Sequence, residues 1–322
     1  MVYQALTEQS VGRFEIADVQ GRGWTHPTTP RYPAGMDSIN KAKLMDGRAL
    51  AKRVLEGAAA KVERIRQATG VTPALATVLV GSDPASVTYT RMKRKRCQEA
   101  GMRPVRIEMP EGTTTEQLVA KVRELADDAL VHGILVQHPV RRPIDKRAVF
   151  EAIPLEKDVD GVSSAALGRV ILGMPAFIPC TPAGIMQLLV EYKVELDGAH
   201  AAVMGRSPIL GRPMASMLIN HHATVTLCHS RTRALPTIVR GADVVIAAVG
   251  RPRFVQGGWI KLGAVVIDAG YNEGNIGDVD FEAAIEPASL ITPVPGGVGP
   301  MTIATLIDQT ADAAAKQLGV DL

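Results

Sequence analysis

From Gly47 onward the chain alternates between two hydrophobic periods. Leu50, Val54, Leu55, Ala58, Val62 and Ile65 recur at helical spacing and predict an amphipathic helix that ends near Gly70. The apolar run Ala74–Val80 predicts a short buried strand. A helix from about Pro84 to Ala100, a strand at Val105–Met109 and a helix at Thr115–Ala126 follow. The strand Gly133–Gln137 and a short helix around Lys146–Ala152 complete this series. Strands that alternate with helices predict a parallel sheet covered on both faces, an α/β fold.

A second alternating series starts after a helix at about Pro182–Tyr192. Its predicted strands are Ala201–Met204, Thr224–Leu227, Val244–Val249 and Ala264–Asp268, with a short one at Leu290–Thr292. Helices at about Gly211–Asn220 and Thr232–Arg240 separate the first of these. The last helix, roughly Met301–Leu318, follows a Pro/Gly-rich loop and is expected to pack back on the first lobe. The expected organisation is therefore a first lobe over residues 36–183 plus 301–322 and a second over residues 184–300. Residues 1–35 look different: Gly21–Gly35 is rich in Gly, Pro and Thr and has no helical or strand period. A flexible extension is expected there, with Trp24 and Tyr32 as candidate anchors and Met36 as an alternative start.

Composition narrows the class. At 322 residues, with 46% hydrophobic and 21% charged residues, the chain reads as a two-domain globular protein. A net charge of +3 gives no argument for nucleic acid or an anionic membrane. Cys97, Cys180 and Cys228 are widely spaced and form no CxxC pair or metal cluster with histidines, so no metal site is expected and a reducing cytosol fits. No apolar run reaches the roughly 18–20 residues that span a bilayer. The start lacks a secretory pattern, and Glu8, Glu15 and Asp18 argue against a transit peptide. The expectation is a cytoplasmic protein.

The segment Ala201–Met214 (AAVMGRSPILGRPM) reads as strand, glycine turn, helix. Gly205 and Gly211 permit a tight turn, Ser207 lies between them, and the helix starting near Leu210 aims free N–H groups and a positive dipole end at a phosphate. The spacing is not G-x-G-x-x-G, and an ordinary strand-to-helix turn reads the same way. The next strand adds weight. Where an NAD enzyme places an acid for the ribose hydroxyl, this chain has Cys228-His229-Ser230-Arg231. Ser230 and Arg231, with Arg206 on the turn, suit the 2′-phosphate of NADP. Gly250, after the third strand of this lobe, and Thr181 are further cofactor-binding candidates.

Within SVTYTRMKRKR, the residues Ser86, Tyr89, Lys93 and Cys97 are three or four apart and share one helix face. Arg91, Arg94 and Arg96 point elsewhere and read as a solvated face. Val80–Lys95 (VGSDPASVTYTRMKRK) resembles the first signature of the bifunctional methylenetetrahydrofolate dehydrogenase/cyclohydrolase family, and Ile291–Thr302 (ITPVPGGVGPMT) is similar to its second. Further matches lie between them in order: GILVQ (Gly133–Gln137), KDVDG (Lys157–Gly161), PCTP (Pro179–Pro182), GRSPILGRP (Gly205–Pro213), TLCHSRT (Thr226–Thr232), VIDAG (Val266–Gly270) and GDVDF (Gly277–Phe281). The likeness covers about Leu44 to Leu318.

The resemblance implies two α/β lobes with a cleft between them, the second a Rossmann-like NADP-binding domain and the first a folate-binding catalytic domain. It implies a homodimer joined through the nucleotide domains, with tetrahydrofolate one-carbon derivatives as substrates. Tyr89 matches the aromatic residue that stacks on folate, Lys93 the catalytic lysine, and Gln137 the amide that holds it. Asp160, the second acid of DVDG, matches the carboxylate that receives the pterin's donors. The loop Pro293–Pro300, with Pro295, Gly296 and Gly297, matches the wall joining the two sites, and Ser86 is a further substrate-binding candidate. The implied reaction is hydride transfer from 5,10-methylenetetrahydrofolate to NADP⁺, followed by hydrolysis of the methenyl product to 10-formyltetrahydrofolate.

Three stretches depart from the family pattern. Gln137 is followed by His138-Pro139-Val140-Arg141 instead of Leu-Pro-Leu-Pro. The segment Val162–Gly168 lacks a common asparagine around Ala166, and Tyr271 replaces a usual isoleucine. These positions border the expected pockets, so they bear on rate, cofactor preference and the pterin accepted. Three alternatives remain at this level. One is a dehydrogenase with weak or no cyclohydrolase activity. Another is a two-domain NADP dehydrogenase acting on another small substrate. The third is a silent NADP-binding protein, which would tolerate loss of Lys93, Gln137 or Asp160.

Overall fold

The computed structural model describes residues 41–322 apart from Arg141. The extension expected over residues 1–35, with Trp24, Tyr32 and the Met36 start, lies outside the described residues. The first helix, α1 (Gly47–Thr69), is capped by Asp46, whose Oδ1 accepts from the N–H groups of Arg48 and Ala49 at 2.9 and 3.1 Å. It ends at Gly70 in the left-handed region, as the sequence predicts.

A short strand, β1 (Lys43–Leu44), precedes it. Next come β2 (Ala74–Val80), α2 (Pro84–Glu99), β3 (Arg103–Met109), α3 (Thr115–Asp127), β4 (Gly133–Val136) and α4 (Lys146–Glu151). Strands β2, β3 and β4 form a three-stranded sheet in the order β3-β2-β4, parallel throughout. One face packs Leu75 and Leu135 against Ala58, Val62, Leu306 and Ile307. The other packs Val78 and Ile134 against Leu118, Val122 and Phe150.

The chain continues through α5 (Ser164–Ile171) and α6 (Cys180–Glu191) into β5 (His200–Met204), α7 (Gly211–Asn220), β6 (Thr224–Cys228), α8 (Leu235–Arg240) and β7 (Val244–Ala247). Strand β8 (Val265–Asp268), α9 (Phe281–Ala284), β9 (Leu290–Ile291) and α10 (Val298–Leu318) complete it. The second sheet is six-stranded, in the order β1-β9-β8-β7-β5-β6, and every pairing is parallel. Strand β1 thus belongs to this sheet although it precedes α1. Its two residues carry no periodicity to read, and pairing with Leu290 and Ile291 alone defines them as a strand. Helix α5 was likewise not among the predicted elements; its eight residues depend on Ser163, whose Oγ accepts from Ala166 N–H at 3.2 Å.

Helix α10 joins the two halves. Met301 and Ala304 near its start belong to the core shared with Ile185, Leu189, Val203, Ile246 and Ile267. Leu306, Ile307 and Ala311 belong to the core under the first sheet. The helix lies against both α1 and α6, which agrees with the expected return to the first lobe.

Candidate active site

Helix α2 begins right after β2, with Pro84 in its first turn and Asp83 as its cap. Its buried face carries Ser86, Thr90, Lys93 and Cys97, while Arg91, Arg94 and Arg96 are exposed. The Lys93 ammonium donates to Gln137 Oε1 at 2.9 Å. Gln137 follows the end of β4, and its Nε2 donates to the His138 carbonyl at 2.6 Å, which fixes the amide with its oxygen toward the lysine. Burial lowers the pKa of Lys93, and the negative charge of Asp160 works against that shift. A lysine so placed releases its proton more readily than an exposed one.

Asp160 lies within electrostatic reach of that ammonium. Burial raises the pKa of its carboxyl, opposed by the Lys93 charge and by hydrogen bonds from the thiol and N–H of Cys180 at the start of α6. The two acids of DVDG divide their tasks clearly. Asp158 is fully buried, and its oxygens accept from Val162 and Ser163 N–H at 3.0 and 2.9 Å, closing the turn that leads to α5. Asp160 has no such duty to the turn, so it is the acid available to a ligand.

Cys180 is a packed thiol, and burial pushes its pKa well up. It does more than pack, however. Its Sγ lies 3.4 Å from the Val159 carbonyl oxygen and 3.5 Å from Gln309 Nε2. Gln309, on α10, also donates to Val159 and Ile178 carbonyls, both at 2.9 Å, and accepts from Ile178 N–H at 2.9 Å. Sequence reading missed Gln309, because its partners lie more than a hundred positions away.

Tyr89 is half-buried on α2, and its ring meets that of Tyr271 from the loop after β8, with centroids 5.7 Å apart and an interplanar angle of 88°. Ser86 is buried, and its hydroxyl donates to Asp83 Oδ2 at 2.9 Å. His138 packs on Phe150 with ring centroids 4.9 Å apart. Burial, reinforced by the charges of Lys93 and Lys146, lowers the pKa of His138 to about 4, so the ring is neutral around pH 7.

The loop between β9 and α10 forms another wall. Pro295 is exposed while Gly296 and Gly297 are buried. Gly47, opening α1, meets this loop so closely that a Cβ on it would lie 1.9 Å from the Gly297 carbonyl oxygen. Position 47 must be glycine for the helix and the loop to touch, whereas a Cβ on Gly297 would lie 2.7 Å from Thr292 Cβ within the loop itself.

In the second sheet, β5 is followed by β6 on one side and, after a crossover, β7 on the other. A crevice opens at such a switch point beyond the carboxyl ends of the strands. Its floor is the turn from Gly205 to Gly211. A Cβ on Gly205, at φ 121°, would lie 2.2 Å from the Ala248 carbonyl oxygen, and one on Gly211 would lie 1.8 Å from that of Gly205. Ser207 Oγ accepts from Leu210 and Gly211 N–H at 3.2 and 3.4 Å, shaping the start of α7. Arg206 is exposed on the turn, and Ser230 and Arg231 are exposed just beyond β6. Gly250 is exposed beyond β7. Thr181, at the start of α6, accepts from the Thr302 hydroxyl at 3.1 Å. An open glycine turn, a helix start and two exposed arginines fit a phosphorylated dinucleotide.

Among the described residues, no helix is long and apolar enough to cross a membrane. Residues 45–160 match the catalytic domain of tetrahydrofolate dehydrogenase/cyclohydrolase, and residues 179–318 match the NAD(P)-binding domain of the same family. The chain is 59% identical over 285 residues to the bifunctional protein FolD 1 of Streptomyces avermitilis, covering 88% of this chain and 99% of that protein. The crystal structure of the bifunctional methylenetetrahydrofolate dehydrogenase/cyclohydrolase of Campylobacter jejuni is similar with a TM-score of 0.83 and 42% identity, covering 85% of this chain and 99% of that one. The Trypanosoma brucei enzyme, solved with NADP cofactor and inhibitor, has a TM-score of 0.83 at 37% identity and covers 86% and 98%. The protein whose Lys93, Gln137 and Asp160 are gathered in this way belongs to the tetrahydrofolate dehydrogenase/cyclohydrolase family.

Proposed function

We propose that the chain oxidises 5,10-methylenetetrahydrofolate to the methenyl cation by hydride transfer to NADP⁺ and then hydrolyses that cation to 10-formyltetrahydrofolate. The observation that carries this reading is the buried Lys93–Gln137 pair at 2.9 Å, with the Asp160 carboxylate in electrostatic reach. NADP⁺ supplies the hydride acceptor. Arg206, Ser230 and Arg231 are the residues for its 2′-phosphate, Gly205, Ser207 and Gly211 for its diphosphate, and Gly250 and Thr181 for the reacting end.

In the first step the protein chiefly aligns the reactants. Tyr89 offers the folate a flat amphipathic ring. Asp160 accepts from the pterin's donors, and Ser86, Pro295, Gly296 and Gly297 line the remaining surface. In the second step water adds to the methenyl carbon and the adduct opens, with protons moving through Lys93. Its lowered pKa and the nearby cationic substrate both favour the unprotonated amine that can take a proton from water. Gln137 holds the amine in place.

The domain division we propose is a folate-binding catalytic domain, residues 36–183 plus 301–322, and a Rossmann-like NADP-binding domain, residues 184–300, with β1 of the former added to the edge of the latter's sheet. Strand β6 ends the second sheet with exposed Thr224 and Leu227, an open edge that supports a homodimer joined through the nucleotide domains. Three free, buried cysteines are consistent with a cytoplasmic enzyme.

The test is an assay with methylenetetrahydrofolate and either NADP⁺ or NAD⁺. Acid-quenched and unquenched samples separate methenyl from formyl product. Reduced cofactor with NADP⁺, and formyl product without quenching, are expected; no reduced cofactor with either nucleotide would overturn the reading.

A further inference from the structure

Two carboxylates outside the catalytic group hold the wall of the cofactor crevice. Asp278 follows the loop after β8 and is fully buried. Its Oδ2 accepts from Val249 and Gly250 N–H at 2.6 and 2.8 Å, and its Oδ1 accepts from Arg251 N–H at 3.0 Å. Three consecutive amides beyond the end of β7 therefore converge on one side chain. Asn272 Nδ2 donates to the same Oδ1 at 3.0 Å.

Asp268, the last residue of β8, secures Asp278 in turn. Its Oδ1 accepts from the N–H groups of Asp278 and Gly270, and its Oδ2 from that of Val279, each at 2.9 Å. Asp268 N–H donates to Thr292 Oγ1 at 2.7 Å.

The strand order says which part of the cofactor this wall meets. Arg206, Ser230 and Arg231 lie at the β5 and β6 ends, where the 2′-phosphate is expected. The dinucleotide then runs across the glycine turn toward the ends of β7 and β8. Tyr271, beyond β8, touches Tyr89 of the folate side. The loop of Val249–Arg251 thus lies on the nicotinamide side of the crevice, and the Ala248 carbonyl packs directly on Gly205.

We propose that Asp278 is a positioning residue for the cofactor: its carboxylate holds the backbone of Val249–Arg251 in the shape on which the nicotinamide half of NADP rests, and Asp268 holds Asp278. An amide at this position keeps the volume but turns one acceptor into a donor that faces N–H groups. The loop must then move, and the cofactor loses its support. The inference rests on the functional reading above, and the experiment separates the two.

NADPH affinity of the full chain is measured by fluorescence titration for wild type, Asp278→Asn and Asn272→Ala, together with the KM for each substrate and the hydrolysis of methenyltetrahydrofolate, a step that consumes no nucleotide. Loss of hydrogen bonds to a charged acceptor predicts that Asp278→Asn raises both the NADPH Kd and the NADP⁺ KM by about tenfold or more. Asn272→Ala, which frees one Oδ1 contact, raises them by about threefold. The KM for methylenetetrahydrofolate and the hydrolysis rate move less than about twofold. Wild type that binds NADPH yet leaves methylenetetrahydrofolate untouched counts against the functional reading alone. Cofactor affinity unchanged in either variant, or parallel loss of both activities in Asp278→Asn, overturns the positioning role.

Discussion

The ring of Tyr271 meets the ring of Tyr89 edge to face, 5.7 Å between centroids, and the contact spans the two halves of the protein. Tyr89 comes from α2 beside the first sheet, and Tyr271 from the loop beyond β8. The Tyr271 hydroxyl donates to Asn275 Oδ1 at 2.9 Å, which steadies an otherwise exposed side chain. An isoleucine at position 271 has no ring with which to make this contact. An aromatic pair of this geometry contributes about 0.5–1.5 kcal/mol beyond its burial. Replacing Tyr271 by Ile releases the Tyr89 ring, and the KM for methylenetetrahydrofolate is expected to rise by about two- to tenfold. Steady-state kinetics on the variant decide the matter; an unchanged folate KM makes the contact incidental.

Lys61 on α1 reaches two carboxylates of α10, donating to Asp308 and Asp312 Oδ1, each at 2.7 Å. Burial works against its ammonium, yet the two carboxylates outweigh that and raise its pKa. Its partner Asp308 is largely shielded, with a side chain only 15% exposed, so removing the cation leaves a poorly compensated charge beside the core. Lys61→Met is expected to lower stability by about 3–5 kcal/mol, read as a shift in the urea unfolding curve. The turnover of the folded fraction stays near wild type, since the pair lies apart from Lys93. An unfolding curve that overlays wild type would remove this ion cluster from the account of stability.

Asp268 gives the fold a definite pH signature. Burial, reinforced by the charge of Asp278, pushes its pKa up to about 6 despite the N–H groups it accepts. The folded value exceeds the unfolded one of 3.8, so its stabilising contribution is present in acid and is lost as pH rises through about 6. Relative to Asp268→Asn, wild type should lose about 2 kcal/mol of unfolding free energy between about pH 4.5 and about pH 7.5. Denaturant titrations of the two proteins at both values measure the difference directly. A gap that does not change with pH contradicts the assignment.

Much of the architecture was legible because its elements are long or strongly apolar. Strand β2 and helix α7 have the predicted bounds, Ala74–Val80 and Gly211–Asn220, since a buried strand and a glycine-started amphipathic helix leave clear patterns. Strand β1 and helices α5 and α9 escaped, as two, eight and four residues cannot establish a period. The site divides in the same manner. Lys93 and Gln137 are both recognisable in motifs, and the structure joins them across 44 positions. Asp278 lies in the recognised GDVDF motif, but no local pattern shows that its acceptors serve Val249–Arg251, 27 to 29 residues earlier. Gln309 is harder still, because its targets are reached only when α10 folds back against the first lobe.

The central claim is that Lys93, held by Gln137, moves the protons of hydrolysis. It is tested most directly by the rate at which Lys93→Met converts methenyltetrahydrofolate to 10-formyltetrahydrofolate, with NADPH affinity measured on the same sample. A positioned acid–base group contributes about 10²–10⁴-fold to rate, so hydrolysis should fall at least a hundredfold, to near the uncatalysed level. NADPH affinity should remain within about twofold, because the glycine turn is untouched. Hydrolysis at the wild-type rate would contradict the account.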